Sequence, residues 1–230
     1  MMELAVIARV RSPFESKFAV PRQSGLAPEV EATLVFEPPY RSRESLRGIE
    51  GFSHLWLIWE FSENAGRGWS PTVRPPRLGG NERMGVFATR SPFRPNPLGL
   101  SCVRLLGVDW DAPEGPVLRL GGVDLVDGTP VYDVKPYIAY ADSIPDAAGG
   151  FTGNETPEKL PVICPEEVKG GLSPALWAGL ESALACDPRP RYQDDPQRVY
   201  GFPFAGREVR FRVSGGVVEV LEIGPEKGGK

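Results

Sequence analysis

Up to about residue 160 the chain never sustains a helical repeat, and this limits its fold more than any other feature. What recurs is a short apolar run closed by proline, glycine, serine or an acid. Seven such runs read as strands: 3–10, 30–36, 53–61, 84–89, 100–108, 117–126 and 131–138. Several alternate apolar and polar side chains, the pattern of a strand with one face in a core, whereas 53–61 (SHLWLIWEF) reads as a buried strand. A short helix fits YRSRESLRGIE, within 40–50. Many strands without intervening helices predict an antiparallel barrel or sandwich.

The character changes over 141–161, a stretch rich in glycine, proline and acids and without periodicity. It reads as a linker. Beyond it comes one clear amphipathic helix, with Ser173 as N-cap, Pro174 at the first helical position and Leu176, Trp177, Leu180 and Leu184 on one face. YGFPFAGREVRFRVSGGVVEVLEIG then predicts two strands joined at Ser214-Gly215-Gly216. The expected organisation is a β domain over 1–140, a linker over 141–160 and a small α+β domain over 161–230, in a mainly β protein.

Several function classes drop out. The three cysteines, Cys102, Cys164 and Cys186, are far apart and odd in number, which fits a reducing cytoplasm better than a disulfide framework. A single histidine, His54, leaves no Cys/His pair with zinc-ligand spacing, so no metal is expected. No serine sits in a G-x-S-x-G elbow, and neither G-x-G-x-x-G after a strand nor G-x-x-x-x-G-K-[ST] occurs. No apolar run has membrane-spanning length, and MMELAVIARV reads as a first strand rather than a signal peptide.

Net charge is −4, yet charge is unevenly placed. From 64 to 104 the charged residues are Arg67, Arg74, Arg77, Arg83, Arg90, Arg94 and Arg104 against Glu82 alone. The planar guanidinium pairs bidentately with phosphate and carboxylate and stacks on bases. Trp69 and Phe93 lie among these arginines, and unpaired bases stack on aromatics. At the centre is RSPFRPNPLG, 90–99, whose three prolines fix the path of a loop that a hairpin would not need. The segment predicts an ordered loop presenting arginine to an anionic ligand, on an otherwise acidic protein. RSPF also occurs at 11–14, either by coincidence or because both copies follow a strand at one rim.

A second concentration is VDLVDGTPVYDVKPY, 123–137, where Asp124, Asp127, Asp133 and Lys135 alternate with apolar residues. Asp127-Gly128-Thr129-Pro130 is a turn between strands. The carboxylates suit ribose hydroxyls or an ammonium group.

KFAVPRQSGL, GFSHLWLIWEF, WSPTVRPPRLGGNERMGVFATRSPFRPNPLGLS, DLVDGTPVYDVKPY and DPRPRYQ together resemble the TrmO (TsaA-like, YaeB-like) family. The resemblance is dense over the first 140 residues and loose over the linker and the last residues. It implies a single-sheeted β-barrel, unlike the Rossmann-type methyltransferases, followed by a small C-terminal domain that contacts tRNA. It further implies an S-adenosylmethionine-dependent tRNA methyltransferase, acting on the exocyclic N6 of threonylcarbamoyladenosine beside the anticodon of threonine tRNAs. Homodimers with the methyl donor near the subunit interface are implied too, with the anticodon stem-loop as partner.

By position, the resemblance puts Pro21, Arg22, Gln23, His54, Leu55, Arg90, Asp127, Gly128, Thr129 and Pro130 on the donor. It makes His54, Arg90, Asn96, Asp133, Lys135 and Tyr137 the catalytic or pocket residues. Arg74, Arg77 and Arg94 would hold substrate, with Arg189 and Arg191 of the PRPRY motif holding tRNA. His54 is the one imidazole available as a base, although a hydrogen-bonded histidine on a strand accounts for it equally well. Composition and periodicity alone fit a non-catalytic RNA-binding barrel. A third reading is a methyltransferase for a small molecule.

Overall fold

The computed structural model describes residues 3–64, 66–154, 156–169, 171–190 and 195–225. In chain order the first elements are β1 (Ala8–Arg11), β2 (Glu31–Phe36) and β3 (His54–Glu60). A two-strand ribbon follows, β4 (Thr72–Val73) with β5 (Met84–Gly85), and then β6 (Leu98–Asp109), β7 (Val117–Gly121) and β8 (Pro130–Pro136). Six of these close into one antiparallel barrel in the order β1-β2-β7-β6-β3-β8, with β8 pairing back onto β1. Of barrel and sandwich, the chain forms the barrel.

The strand period decides what fills it. In β3, Leu55, Leu57 and Trp59 point inward, while His54, Trp56, Ile58 and Glu60 face outward and are half-buried. The buried strand expected over 53–61 is therefore buried on one face only. Leu34, Leu118, Leu120, Leu125 and Val131 complete the interior.

Other local expectations shift for physical reasons. The strand expected over 117–126 ends at Gly121, because Gly122 turns left-handed (φ +72°) and leads the chain out of the sheet. The 84–89 run keeps only two strand residues and then tightens into a 3-10 turn, Val86–Ala88. In place of a helix over 40–50 there are separate 3-10 turns, Pro38–Tyr40, Arg43–Leu46 and Ile49–Gly51, interrupted by a left-handed Gly48.

The remaining elements are α1 (Ala139–Asp142), β9 (Val162–Ile163), α2 (Pro174–Ala185), β10 (Tyr200–Phe204), β11 (Arg207–Ser214) and β12 (Val217–Ile223). Three strands follow α2, not the two expected. The extra turn is Ala205-Gly206, where both residues take positive φ (49° and 75°), the twist a tight hairpin requires. Its sheet runs β10-β11-β12-β9, with β9 parallel to β12. Ser173 caps α2, its Oγ accepting the Leu176 N–H at 3.3 Å. Leu180 and Leu184 pack on Phe202, Phe204 and Phe211.

This second core also takes in the chain between β1 and β2. Phe14, Ala19, Ala27 and Val30 are buried in it. The Phe14 ring meets Phe204 edge-on at 5.4 Å, and the Ala205 N–H donates to Pro13 O at 2.8 Å. Ser182 Oγ on α2 reaches Glu29 Oε2 at 2.5 Å. The two RSPF copies share one local geometry: Ser12 Oγ accepts the Phe14 N–H (3.2 Å) and Ser91 Oγ the Phe93 N–H (3.3 Å). One phenylalanine is then buried and the other exposed.

Candidate functional site

At the rim where β1 and β7 end and β6 and β8 begin, several segments are laced together. The Asp127 N–H donates to Phe14 O at 2.7 Å, and its Oδ1 accepts the Ser12 N–H at 3.0 Å. The Gly128 N–H reaches Val10 O at 2.8 Å, with Gly128 left-handed in the turn (φ +75°). Thr129 Oγ1 bonds Val126 O at 2.6 Å, and Pro130 opens β8. Thr129 O also accepts the Val10 N–H at 3.0 Å, so Asp127, Gly128 and Thr129 are all tied to β1 and its exit.

The Pro21–Gly25 segment is held from four sides. The Gly25 N–H donates to Gly122 O at 2.8 Å, and Ser24 Oγ accepts the Cys102 N–H of β6 at 3.1 Å. Arg90 donates from Nη1 to Gln23 Oε1. Arg22 Nη2 donates to Arg189 O at 3.0 Å. So Gln23 and Arg90, 67 positions apart in the chain, meet directly. Beside Pro21 and Arg22 a cleft of about 160 Å³ runs to Cys186, Asp187 and Pro188.

Asp124 lies beneath this segment. Its Oδ1 accepts the Ser101 hydroxyl at 2.7 Å, and Ser101 Oγ in turn accepts Trp59 Nε1–H at 3.0 Å. The Ser24 backbone amide and the charge of Arg90 also favour the ionised carboxylate. Burial dominates over these favourable contacts and pushes the Asp124 carboxyl up to about 6.

His54 belongs to a different cluster, on the outer face of the barrel. Its Nδ1 lies 2.9 Å from Ser53 Oγ, and the Tyr137 N–H bonds its carbonyl at 3.0 Å. The Tyr137 ring sits 6.1 Å from the imidazole and 5.8 Å from Trp56, centre to centre. Trp56 Nε1 donates to Asp142, which also accepts the Ile138 N–H. Lys135 pairs with Asp133 at 2.9 Å on the same face, opposite Trp56 and Ile58. Leu55 turns its side chain wholly into the barrel core, so only its backbone faces outward.

The arginine-rich loops run through 3-10 turns and the β4–β5 ribbon. None of the arginines from Arg67 to Arg104 pairs with an acid among the described residues, whereas Arg9, Arg11, Arg43, Arg47, Arg210 and Arg212 all do. Arg74 and Arg77 are exposed, and so are Trp69, Phe87 and Phe93. Arg94 folds onto its own loop, donating to Thr89 O (2.7 Å) and Val86 O (3.3 Å) and lying 5.9 Å from the Phe87 ring centre. Asn96 is exposed, its carbonyl accepting the Leu98 N–H at 2.7 Å. Arg189 grips Asp187 bidentately (2.8 and 3.0 Å) with its side chain mostly buried. Arg191 lies outside the described residues.

Ser24, Ser101 and Trp59 were not evident as site residues from sequence. The available signal was Asp124, a lone acid between Val123 and Leu125, both buried. An acid in that position needs donors nearby.

Residues 9–143 match the family model described as the tRNA-methyltransferase O N-terminal domain, and residues 159–226 the TrmO C-terminal domain. The chain is 43% identical over 227 residues to the Escherichia coli tRNA (adenine(37)-N6)-methyltransferase, covering 95% of this chain and 96% of that protein. It is 50% identical over 173 residues to an Eikenella corrodens protein of the same name, covering 75% and 97%. A crystal structure of TrmO from Pseudomonas aeruginosa superposes with a TM-score of 0.77 at 32% identity, covering 97% of this chain and 98% of that one.

Proposed function

The chain belongs to the tRNA-methyltransferase O family, and we propose that this S-adenosylmethionine-dependent tRNA methyltransferase acts on N6 of threonylcarbamoyladenosine beside the anticodon of threonine tRNAs, in the cytoplasm and as a homodimer. Membership sets aside the non-catalytic RNA-binding barrel. The observation that carries the reading is the direct meeting of Gln23 at the Pro21–Gly25 segment with Arg90, which lies in a stretch, 67–104, whose arginines make no ion pair among the described residues.

The donor set fits the methyl donor. Arg90 offers a cation for its carboxylate, Gln23 an amide, and Asp127 a second carboxylate oxygen for ribose hydroxyls. When bound, the donor supplies a methyl group already activated on a sulfonium. The protein's own work is then mainly placement of the attacking nitrogen in line with that methyl. Arg90 and Arg94 are the candidates for the threonyl carboxylate, although Arg94 already uses one amine on its own loop. The attacking N6 carries an acidic proton, since it lies between a purine and a carbonyl. In the tautomer whose Nδ1–H donates to Ser53 Oγ, His54 Nε2 is the nitrogen to receive it.

Two observations support the dimer. The cleft at Pro21 is smaller than the ~300–1,000 Å³ usual for ligand pockets. The outer face of β6, β3 and β8 places Leu100, Ile58, Cys102 and Trp56 side by side, with Leu100 54% exposed. A second copy covering this face would bring His54 and Tyr137 toward a pocket completed across the interface. Leu100→Lys should convert the dimer to monomer in light scattering and weaken donor binding. A monomeric wild type would remove the argument.

The decisive experiment is single-turnover methylation of threonine tRNA with and without threonylcarbamoyladenosine, read by nucleoside mass spectrometry. The methyl group should appear on that nucleoside in the modified tRNA only. Methylation of both tRNAs, or of neither, refutes the substrate assignment.

A further inference from the structure

We propose that Asp124 is the positioning residue of the donor pocket: its buried carboxylate, tied to β6, helps fix Ser24 and with it the Pro21–Gln23 segment, which Arg90 meets. This rests on the reading of that pocket given above.

Three influences converge on one side chain. The Ser101 hydroxyl holds Oδ1 at 2.7 Å and is itself held by Trp59 Nε1–H at 3.0 Å, so the carboxylate is anchored to two adjacent strands, β6 and β3. The Ser24 amide favours the ionised carboxylate, while Ser24 Oγ accepts the Cys102 N–H beside Ser101 and the Gly25 N–H donates to Gly122 O at 2.8 Å, two residues before Asp124. Ser24 therefore bridges the carboxylate and β6, and the residue before it, Gln23, receives Arg90. A third influence is electrostatic: the positive charge of Arg90 favours the ionised Asp124. A guanidinium held by Gln23 and drawn by the charge of Asp124 keeps its orientation when the pocket is empty, so less order has to be imposed on binding. Asp124 needs no contact with the donor to act in this way.

The arrangement depends on ionisation. The ionised form is favoured by Ser101 and Ser24 together and balances Arg90. The protonated form gives up one acceptor and the charge. With a carboxyl titrating at about 6, the pocket is assembled at pH 7 and above and loosens below pH 6. His54 is retained in every protein compared, so a limb that the Asp124→Asn protein alone loses belongs to Asp124.

The test is S-adenosylmethionine binding by calorimetry from pH 5 to 8, with methylation of modified tRNA measured alongside. In the wild type, affinity should fall as pH drops through about 6. Asp124→Asn should bind roughly tenfold more weakly at pH 7.5, the scale of one charge-assisted hydrogen bond, and should lose that pH limb. Its kcat at saturating donor should change less than its KM. Ser101→Ala removes a hydrogen bond that favours the ionised form, so its limb should move to higher pH. If Asp124→Asn does not fold, the shift in Ser101→Ala decides. Equal affinities and an unmoved limb in these variants would overturn the proposal while leaving the pocket in place. Failure of the wild type to bind the donor would overturn the pocket itself.

Discussion

Gly99 is required by a tryptophan. It lies directly opposite Trp59 across the β3–β6 pair, so both positions face the same side of the sheet. A Cβ on residue 99 would stand 2.2 Å from Trp59 Cε2 and 2.3 Å from Cζ2. That is far inside any contact real side chains make, and the obstacle is a rigid ring rather than the end of a flexible chain. The indole cannot move cheaply. It is buried, it packs edge-on against Phe61 at 4.3 Å, and its Nε1–H is committed to Ser101. Gly99→Ala should therefore cost about 1–3 kcal/mol in overpacking and a further ~1–3 kcal/mol if the indole N–H loses Ser101. The total should be on the order of 2–6 kcal/mol, or about 10 °C in melting temperature for a chain of this length. The assay is a thermal melt followed by tryptophan fluorescence, with Gly85→Ala as control, since nothing lies within 4 Å of a Cβ there. The control should melt with the wild type. Because Trp59 supports Ser101 and Ser101 supports Asp124, the variant should also lose donor affinity. If Gly99→Ala melts within about 2 °C of wild type, the steric reasoning is wrong.

Two further outcomes follow from burial. Asp124 holds its proton more tightly in the fold (about 6) than in the unfolded chain (3.8), so its contribution to stability falls as pH rises from about 4 to 6 and is constant above. Relative to Asp124→Asn, the wild type should lose up to about 3 kcal/mol across that window in urea titrations, and parallel pH curves for the two would refute it. Phe14→Ala, at a fully buried position against Phe204, should destabilise by about 3–5 kcal/mol and lower the urea midpoint of the fluorescence transition; an unchanged midpoint would show that the chain between β1 and β2 does not stabilise the second core.

The barrel strands were legible because each carries its own period or its own breakers. β3 announces one buried face through Leu55, Leu57 and Trp59, and α2 announces its start through Ser173-Pro174. The Ala205-Gly206 hairpin was hidden because its first left-handed residue is alanine, which carries no turn signal. The early end of β7 was hidden because a glycine inside an apolar run reads equally as a strand residue or an exit. In the site, loops rich in proline and arginine pointed to an ordered cationic surface, and the arginines do stand without acidic partners. The pairing of Arg90 with Gln23 had no local signature, since only the closed barrel brings residues 67 apart into contact. Asp124 was visible as an acid among apolar neighbours, but its partners Ser24 and Ser101 come from two other parts of the chain.

The same threading changes how the C-terminal unit should be tested. Deleting the chain beyond the linker is the obvious way to ask whether that unit serves tRNA alone. Such a deletion would strip cover from Phe14, Ala19, Ala27 and Val30, which lie between the barrel and the donor segment and have no other core. It would also remove the Arg189 carbonyl that holds Arg22, and the Asp187–Arg189 pair that fixes that carbonyl's place. Donor binding and tRNA binding would then fail together, for a reason unrelated to tRNA. A surface change that leaves this core intact separates them. Arg210 pairs with Glu222 on the exposed face of β11, away from Phe14 and Arg22, so Arg210→Glu should preserve donor affinity. If that variant also binds tRNA as the wild type does, this face of the second sheet takes no part in docking.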